Sequence, residues 1–331
     1  LALALGVRNL DYYGQNGPGG VAPCGMIGQA VAAVLAGQAT NVIVYRSLNG
    51  RSGRRWGQAD AGASQDVIGG DGTYDELVYP YGLFTPGQMW ALIAQRHMLE
   101  FDTLPEHLGA IAVTCRERAN ANPAAMMYDR KLTVEDYLAA RFITEPLRLF
   151  DFCLETDGAC AVVVSSAERA SDGRHRPVLI RAVAQATGPG VSGGESLPIL
   201  MRGPSLTTLM AKTAADLLYA RAGLGPSDID VAQIYDCFTI AVLTQLEDYG
   251  FCRKGEGGPF AASGAIGLGG TIPINTSGTH LSEGYIHGMS HILEGVRQLR
   301  GDSTSPVPGA QTCLVTSSPI PNTSALILVA P

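Results

Sequence analysis

The sequence predicts a layered α/β fold in which mixed sheets are covered by helices and the two halves of the chain repeat one plan. Three observations predict it. Small-residue helical stretches feed fully apolar strands in the first half and again in the second, the pattern of sheets buried on both faces. The chain has 331 residues, more than one core usually holds, so one large domain or two closely packed halves is expected. Hydrophobic residues make up 46% and charged residues 16%, a balance suited to a large interior and not to a disordered or coiled-coil chain.

The elements follow in order. Residues 29–36 (QAVAAVLA) are small and apolar at helical spacing and run through Gly37 into NVIVY, a β-branched stretch that reads as a buried strand. Residues 85–99 (TPGQMWALIAQRHML) form a second helix with Pro86 in its first turn, and residues 110–121 a third. The strand CAVVVSS closes the first half. In the second half, residues 177–185 read as a strand, 206–222 as a long helix, and VAQIYD as a strand running into a loop. Residues 239–250 form a helix ended by its glycine. Residues 255–284, rich in Gly, Ser and Thr, read as a long loop region able to carry a site. Residues 281–299 form the last helix, and QTCLVTSS and SALILVA the closing strands.

Composition excludes several classes of function. A net charge of −7 without a Lys/Arg stripe argues against nucleic acid. The short clusters RSGRR (residues 51–55) and Arg253-Lys254 read as solvated loop charges that could at most hold a phosphorylated ligand such as coenzyme A. Cys24, Cys115, Cys153, Cys160, Cys237, Cys252 and Cys313 form no CxxC pair, and their odd count argues against a disulfide framework and for a reducing cytoplasm. No apolar run approaches the roughly 20 residues of a membrane span. The opening LALALGV lacks a basic flank and an initiating Met, so it reads as the inside of a domain.

Three stretches supply reactive side chains. Cys24 ends GPGGVAPC, where a helix begins, and the helix dipole would favour its thiolate; the bland alternative is a small buried residue. Tyr235, Asp236 and Cys237 end an apolar strand in IYDCF, where α/β sheets place ligand groups, although a tyrosine there also simply caps a core. Tyr285 and His287 follow Gly284 in LSEGYIHG. His287 and His291 lie one helical turn apart, but no third ligand follows at that spacing, so no metal is expected.

The segments YDCFTIAVLTQLEDYGFCRKGEGGPF and GGTIPINTSGTHLSEGYIHGMSHILEGVRQLRG, supported by EPLRLFDFCLETDGACAVVV, resemble the sterol-carrier-protein-type thiolases. They are more similar still to the lipid-transfer-protein-type aldolases that shorten steroid side chains. The resemblance covers nearly the whole chain and implies the thiolase fold, two similar βαβαβαββ halves in a five-layered αβαβα arrangement. On that reading, residues 1–170 are the N-terminal half with its loop region, lacking the family's opening strand and helices, and residues 171–331 are the C-terminal half.

Departures from the thiolase pattern carry the function. Counting back from GQATNVIV by the family's spacing puts the acyl-accepting cysteine on Gly20. The histidine of the His-Asp-Cys-Phe motif is Tyr235, that of Gly-His-Pro is Tyr285, and the loop that normally offers a second catalytic cysteine reads SSPIPN. Acyl transfer needs a nucleophile, which glycine cannot be. A pair of phenols suits acid/base cleavage of the Cα–Cβ bond of a β-hydroxyacyl-CoA, the steroid aldolase reaction. The resemblance thus implies Tyr235 and Tyr285 as the acid/base pair; the chemistry is assigned with Tyr285 at the β-hydroxyl and Tyr235 at the enolate, the reverse order staying open, with Asp236 and His287 as orienting or purely structural groups and His287 as a candidate cation to depress a phenol. It implies no cofactor beyond the coenzyme A of the substrate. It also implies a homodimer joined by a small OB-fold, zinc-ribbon partner in a heterotetramer, with residues 79–84 (YPYGLF) as one possible contact. Two alternatives stand beside it: a thiolase with a relocated nucleophile at Cys24, and a silent acyl-CoA- or sterol-binding scaffold.

Overall fold

A computed structural model describes residues 1–15, 19–53, 81–83, 85–187, 205–320 and 322–331. Of the aromatic run at 79–84 only residues 81–83 are described, and Arg54 and Arg55 lie outside the described residues.

Two sheets face each other across a helical layer. In the first, β1 (Asn41–Asn49) pairs antiparallel with β4 (Asp157–Ser165), Val44 opposite Val162. A hairpin of β2 (Phe142–Thr144) and β3 (Leu147–Arg148) lies between them in sequence. The second sheet has the order β5-β8-β7-β6, formed by Leu179–Thr187, Asn322–Val329, Thr312–Thr316 and Val231–Gln233. It is mixed as expected, with β6 and β7 parallel and the other pairs antiparallel. Helix α1 (Pro23–Leu35) packs on strands of both sheets, and the helix Met289–Arg300 lies beside it and also touches both. The helix Met210–Ala222 covers the outer face of β5 and β8.

These layers follow from the residues available. Alanine and glycine dominate α1 (PCGMIGQAVAAVL), and its buried face of Cys24, Ile27, Ala30 and Ala33 lets a helix sit between two sheets without forcing them apart. On β1 and β4, Ile43, Tyr45 and Val163 stand exposed, so burial alternates along these strands.

The helix Thr239–Asp248 is buried on every side despite carrying Thr244, Gln245, Glu247 and Asp248. It tolerates this because each polar group is paired. Glu247 accepts from the N–H groups of Gly255 and Gly257 at 3.0 and 2.9 Å and lies 3.1 Å from His97 Nε2. Lys254 reaches Glu247 at 3.0 Å and Asp248 at 2.7 Å, so it is part of a largely buried ion network and not a free surface cation. The same carboxylate explains the helix Gly257–Ala262 inside the expected loop region, because it satisfies N–H groups at that helix's start.

The other difference lies at the end of the same region. The expected helix over 281–299 begins only at Met289, after a single π-helical turn at Thr279–Glu283 and an extended passage through Gly284 and Tyr285. Positive φ values at His287 (49°) and Gly288 (88°) break the run. Among the described residues no helix is long and apolar enough to cross a membrane, and all seven cysteines are free.

Candidate active site

Tyr235 sits where β6 has ended and Phe238 has not yet started the next helix, and its backbone is clamped on both sides. Its N–H donates to Thr316 Oγ1 at 2.9 Å, its carbonyl accepts from Gln245 Nε2 at 2.8 Å, and Thr316 Oγ1 donates to Gln245 Oε1 at 2.6 Å. A residue held at both peptide groups by buried partners has little freedom to turn its ring elsewhere. Tyr285 arrives from the opposite side. Its N–H donates to Thr156 Oγ1 at 2.8 Å, and the same hydroxyl donates to its carbonyl at 2.9 Å.

The two phenols meet. Their hydroxyl oxygens are 3.1 Å apart, Tyr235 buried and Tyr285 half-buried. Beneath them lies Gly20, where a Cβ would come within 1.8 Å of the Tyr235 hydroxyl oxygen and 2.3 Å of its Cζ. The phenol of Tyr235 thus fills the space a nucleophile's side chain would need.

Asp236 faces the other way, and it is the anchor of the loop. Its carboxylate accepts from the Thr279 hydroxyl, from the N–H groups of His280 and Leu281 at 3.1 Å each, and from His291 Nε2 at 2.9 Å. It lies behind the phenols and orients what surrounds them. Asn275, Gly278, Thr279, His287 and Gly288 all have positive φ in this stretch, a concentration of unfavourable backbone that persists only where such partners hold it.

His280 escaped the sequence reading and lies at the centre. Its ring contacts Tyr235 and Tyr285 edge to face, with centroids 4.8 and 4.6 Å away. Its Nε2 accepts from the Gly288 N–H at 2.9 Å, which leaves the proton on Nδ1, 3.3 Å from Asp236. Burial, with His291 and His287 close by, holds His280 well below its ordinary pKa and therefore neutral. Its position in TSGTHLSE gave no motif to read, and only the loop's path brings it between the phenols.

Asp236, His280 and His291 also form the one cluster among the described residues with three potential metal ligands. The nitrogens turned to Asp236 already carry protons: Nε2 of His291 bridges Asp236 and the Ile234 carbonyl at 3.1 Å, so the cluster is occupied as a hydrogen-bonded hub. His291 and His287 diverge, one to Asp236 and one to Arg46.

His287 stands beside Tyr285, ring centroids 5.0 Å apart, but it is not the expected cation. Its Nδ1 accepts from Arg46 Nε at 3.0 Å, and burial together with that guanidinium depresses its pKa to about 3. The positive charge near the site is Arg46, whose only sequence signal was a charged residue in the inward phase of NVIVYRSLN, shared with Val44. Burial raises both phenols well above their ordinary pKa, so both are neutral.

Cys24 is no nucleophile. It packs with Ile27, Met289, Val315 and Leu326, its thiol donates to the Val315 carbonyl at 3.5 Å, and burial pushes its pKa up to about 12. Desolvation outweighs the helix dipole here.

Comparison with known proteins agrees with this architecture. The family described as thiolase C-terminal domain-like matches residues 195–330. The chain is 44% identical over 331 residues to the 17-hydroxy-3-oxo-4-pregnene-20-carboxyl-CoA lyase of Mycobacterium tuberculosis, covering 99% of this chain and 84% of that protein. It is 42% identical to a steroid side-chain-cleaving aldolase of Thermomonospora curvata, over 99% of this chain and 83% of the relative. A solved structure described as the Ltp2-ChsH2(DUF35) aldolase superposes with a TM-score of 0.89 at 40% identity, covering 99% of this chain and 82% of that one.

Two outcomes are expected from this geometry. Cys24 resists iodoacetamide in the native protein and reacts after denaturation, as peptide mass spectrometry would read; rapid native alkylation would contradict its burial. The second concerns acid. His280 and His287 have folded pKa values below that of an unfolded histidine, so the unfolded chain takes up protons first as pH falls below about 6.5. Stability present at neutral pH is therefore lost from there down towards the folded value of His287, about 3. His287→Asn, a residue that tolerates positive φ, should shrink the loss of unfolding free energy between about pH 7 and pH 5 by about 2 kcal/mol, measured by denaturant titration.

Proposed function

The chain belongs to the thiolase-like family of steroid side-chain-cleaving aldolases, and from that membership we propose that Tyr235 and Tyr285 together carry out a retro-aldol cleavage of a β-hydroxyacyl-CoA, with a steroid side chain as the acyl group. The enzyme is a carbon–carbon lyase acting on an acyl-CoA, as its close relatives are named. One observation carries the catalytic reading: two neutral phenols in hydrogen-bond contact at 3.1 Å above a glycine that has no room for a side chain.

The reaction requires one proton to leave the β-hydroxyl and one to arrive at the α-carbon. A lone buried phenol is a poor base, because burial favours its neutral form. Two phenols in contact avoid the difficulty. As the β-hydroxyl gives its proton to one phenol, that phenol passes its own across the 3.1 Å contact, and the second delivers a proton to carbon. The Cα–Cβ electron pair moves into the thioester enolate while the hydroxyl oxygen becomes the carbonyl of a departing ketone or aldehyde. Each phenol ends with the proton count it began with. The step is redox-neutral, and the coenzyme A it uses enters with the substrate and leaves with the short acyl-CoA product. His280 sets the spacing of the phenols, and Asp236 holds His280.

The buried thiol of Cys24, its pKa pushed up to about 12 by desolvation, removes support from the thiolase alternative that takes Cys24 as its nucleophile. The description of the solved relative as an Ltp2-ChsH2(DUF35) aldolase supports the reading that this chain too works beside a second protein; the homodimer within a heterotetramer is carried by the family resemblance alone.

Tyr235→Phe and Tyr285→Phe should each lower kcat by roughly 10²–10⁴ with the melting temperature little changed, read as ketone and propionyl- or acetyl-CoA release from a tertiary β-hydroxyacyl-CoA with the partner present. Near-normal cleavage by either variant removes that phenol from the mechanism, and no cleavage by the parent complex returns the silent-scaffold reading. Gly20→Ala, which drives a methyl into the Tyr235 hydroxyl, should cost about 10²-fold on its own and little more when added to Tyr235→Phe.

A further inference from the structure

We infer that Cys153 is a specificity-determining residue for this reaction: it walls the open side of the phenol pair, and its small side chain leaves the room that two carbon substituents on the substrate's β-carbon need. The inference rests on the two-phenol reading above and goes beyond it by saying what selects a tertiary over a secondary β-hydroxyacyl thioester.

Residues 152–156 form a strap from which both phenol-bearing segments hang. Phe152 bridges antiparallel to Phe238, the Cys153 N–H donates to the Cys237 carbonyl at 3.0 Å, and the Leu154 N–H donates to the His280 carbonyl at 2.9 Å. Thr156 then holds both peptide groups of Tyr285, at 2.8 and 2.9 Å. Cys153 therefore lies between the segment that carries Tyr235 and the one that carries Tyr285.

Alternation along an extended chain decides which way its side chain turns. Phe152 and Phe238 share one face, their ring centroids 4.9 Å apart, with Trp90 stacked 5.8 Å from Phe238. A Cβ on Gly87 would come within 2.6 Å of the Phe152 ring, so that face is filled. Cys153 and Cys237, next to them in sequence, turn to the other face, towards the phenols. Consistently, both thiols are among the groups that oppose ionisation of Tyr235 and of Tyr285. Burial raises both thiols well above the ordinary cysteine pKa, so they offer the site uncharged, weakly polar surface.

Burial marks the side from which an acyl group can enter. Tyr235, Cys237, His280, His287 and His291 are buried, whereas Gly20, Tyr285 and Cys153 are half-buried. Of these three, Gly20 has no room for a side chain, and Tyr285 is committed to the proton chemistry. Cys153 is left as the position whose volume sets what fits beside the phenols. A tertiary β-carbon carries one more carbon substituent than a secondary one, and a wall that grows by one or two heavy atoms removes that room first.

The test compares a tertiary β-hydroxyacyl-CoA, which releases a ketone, with a secondary one, which releases an aldehyde, in the assembled complex. Cys153→Leu is expected to lower kcat/KM for the tertiary thioester by about 10–100-fold and for the secondary one by less than about threefold. Cys153→Ala, which widens the same space, should move the ratio between the two the opposite way. Equal losses on both thioesters from Cys153→Leu, no loss on either, or a shift by Cys153→Ala in the same direction would overturn the specificity role. Should Cys153→Leu fail to fold, Cys153→Val, whose branched side chain suits an extended backbone, carries the same test with an expected difference of about 3–10-fold. Should the parent leave the secondary thioester uncleaved, its inhibition constant against the tertiary one supplies the second arm. Tyr235→Phe and Tyr285→Phe act on both thioesters alike, so full activity in both would bring down the phenol pair while the ratio set by Cys153 still stood.

Discussion

A buried carboxylate organises this site. Asp236 collects a hydroxyl, two backbone N–H groups and an imidazole from a stretch of chain whose backbone is repeatedly left-handed. Unpaired, such a carboxylate would be costly to bury, and without it the π-helical turn at Thr279–Glu283 would have no reason to close against β6. Because Asp236 follows Tyr235 directly in sequence, the interaction that fixes the loop also fixes the distance between the phenols. The strain of the loop and the burial of the charge are thus two sides of one constraint.

That constraint also bears on the protonation states of the side chains it gathers. Burial holds both phenols well above their ordinary pKa and His280 and His287 below theirs, so neither tyrosine ionises readily and neither of these two histidines carries charge. A mechanism that required a free phenolate or an imidazolium would work against its own surroundings. The proposed relay uses the same environment, since two phenols sharing a hydrogen bond let protons pass while charge stays spread over both oxygens. Gly20 is the structural counterpart of this choice, because the space beside α1 can hold a nucleophile's side chain or the Tyr235 hydroxyl but not both.

The alternation of apolar helices and strands, the mixed second sheet and the pair Tyr235/Tyr285 were legible from the sequence. Each depends on local pattern or on motif position, and both survive without knowledge of neighbours. The late start of the last helix was not legible, since LSEGYIHG keeps helical periodicity while Gly284, His287 and Gly288 leave helical φ only under tertiary tension. The helix at Gly257–Ala262 was hidden for a similar reason. Its first N–H group is satisfied by Glu247 from another helix, a partner no local rule anticipates.

The sequence by itself determined the fold family and the two phenols Tyr235 and Tyr285, because residue identity and motif spacing are properties of the chain. Only the tertiary structure decided what state those side chains are in. Cys24 looked activated and is buried as a thiol, His287 looked cationic and is neutral, and Arg46 and His280 drew no notice until the fold brought them to the phenols. The physical reason is that protonation and orientation depend on desolvation and on partners distant in sequence, Arg46 and His287 being 241 residues apart.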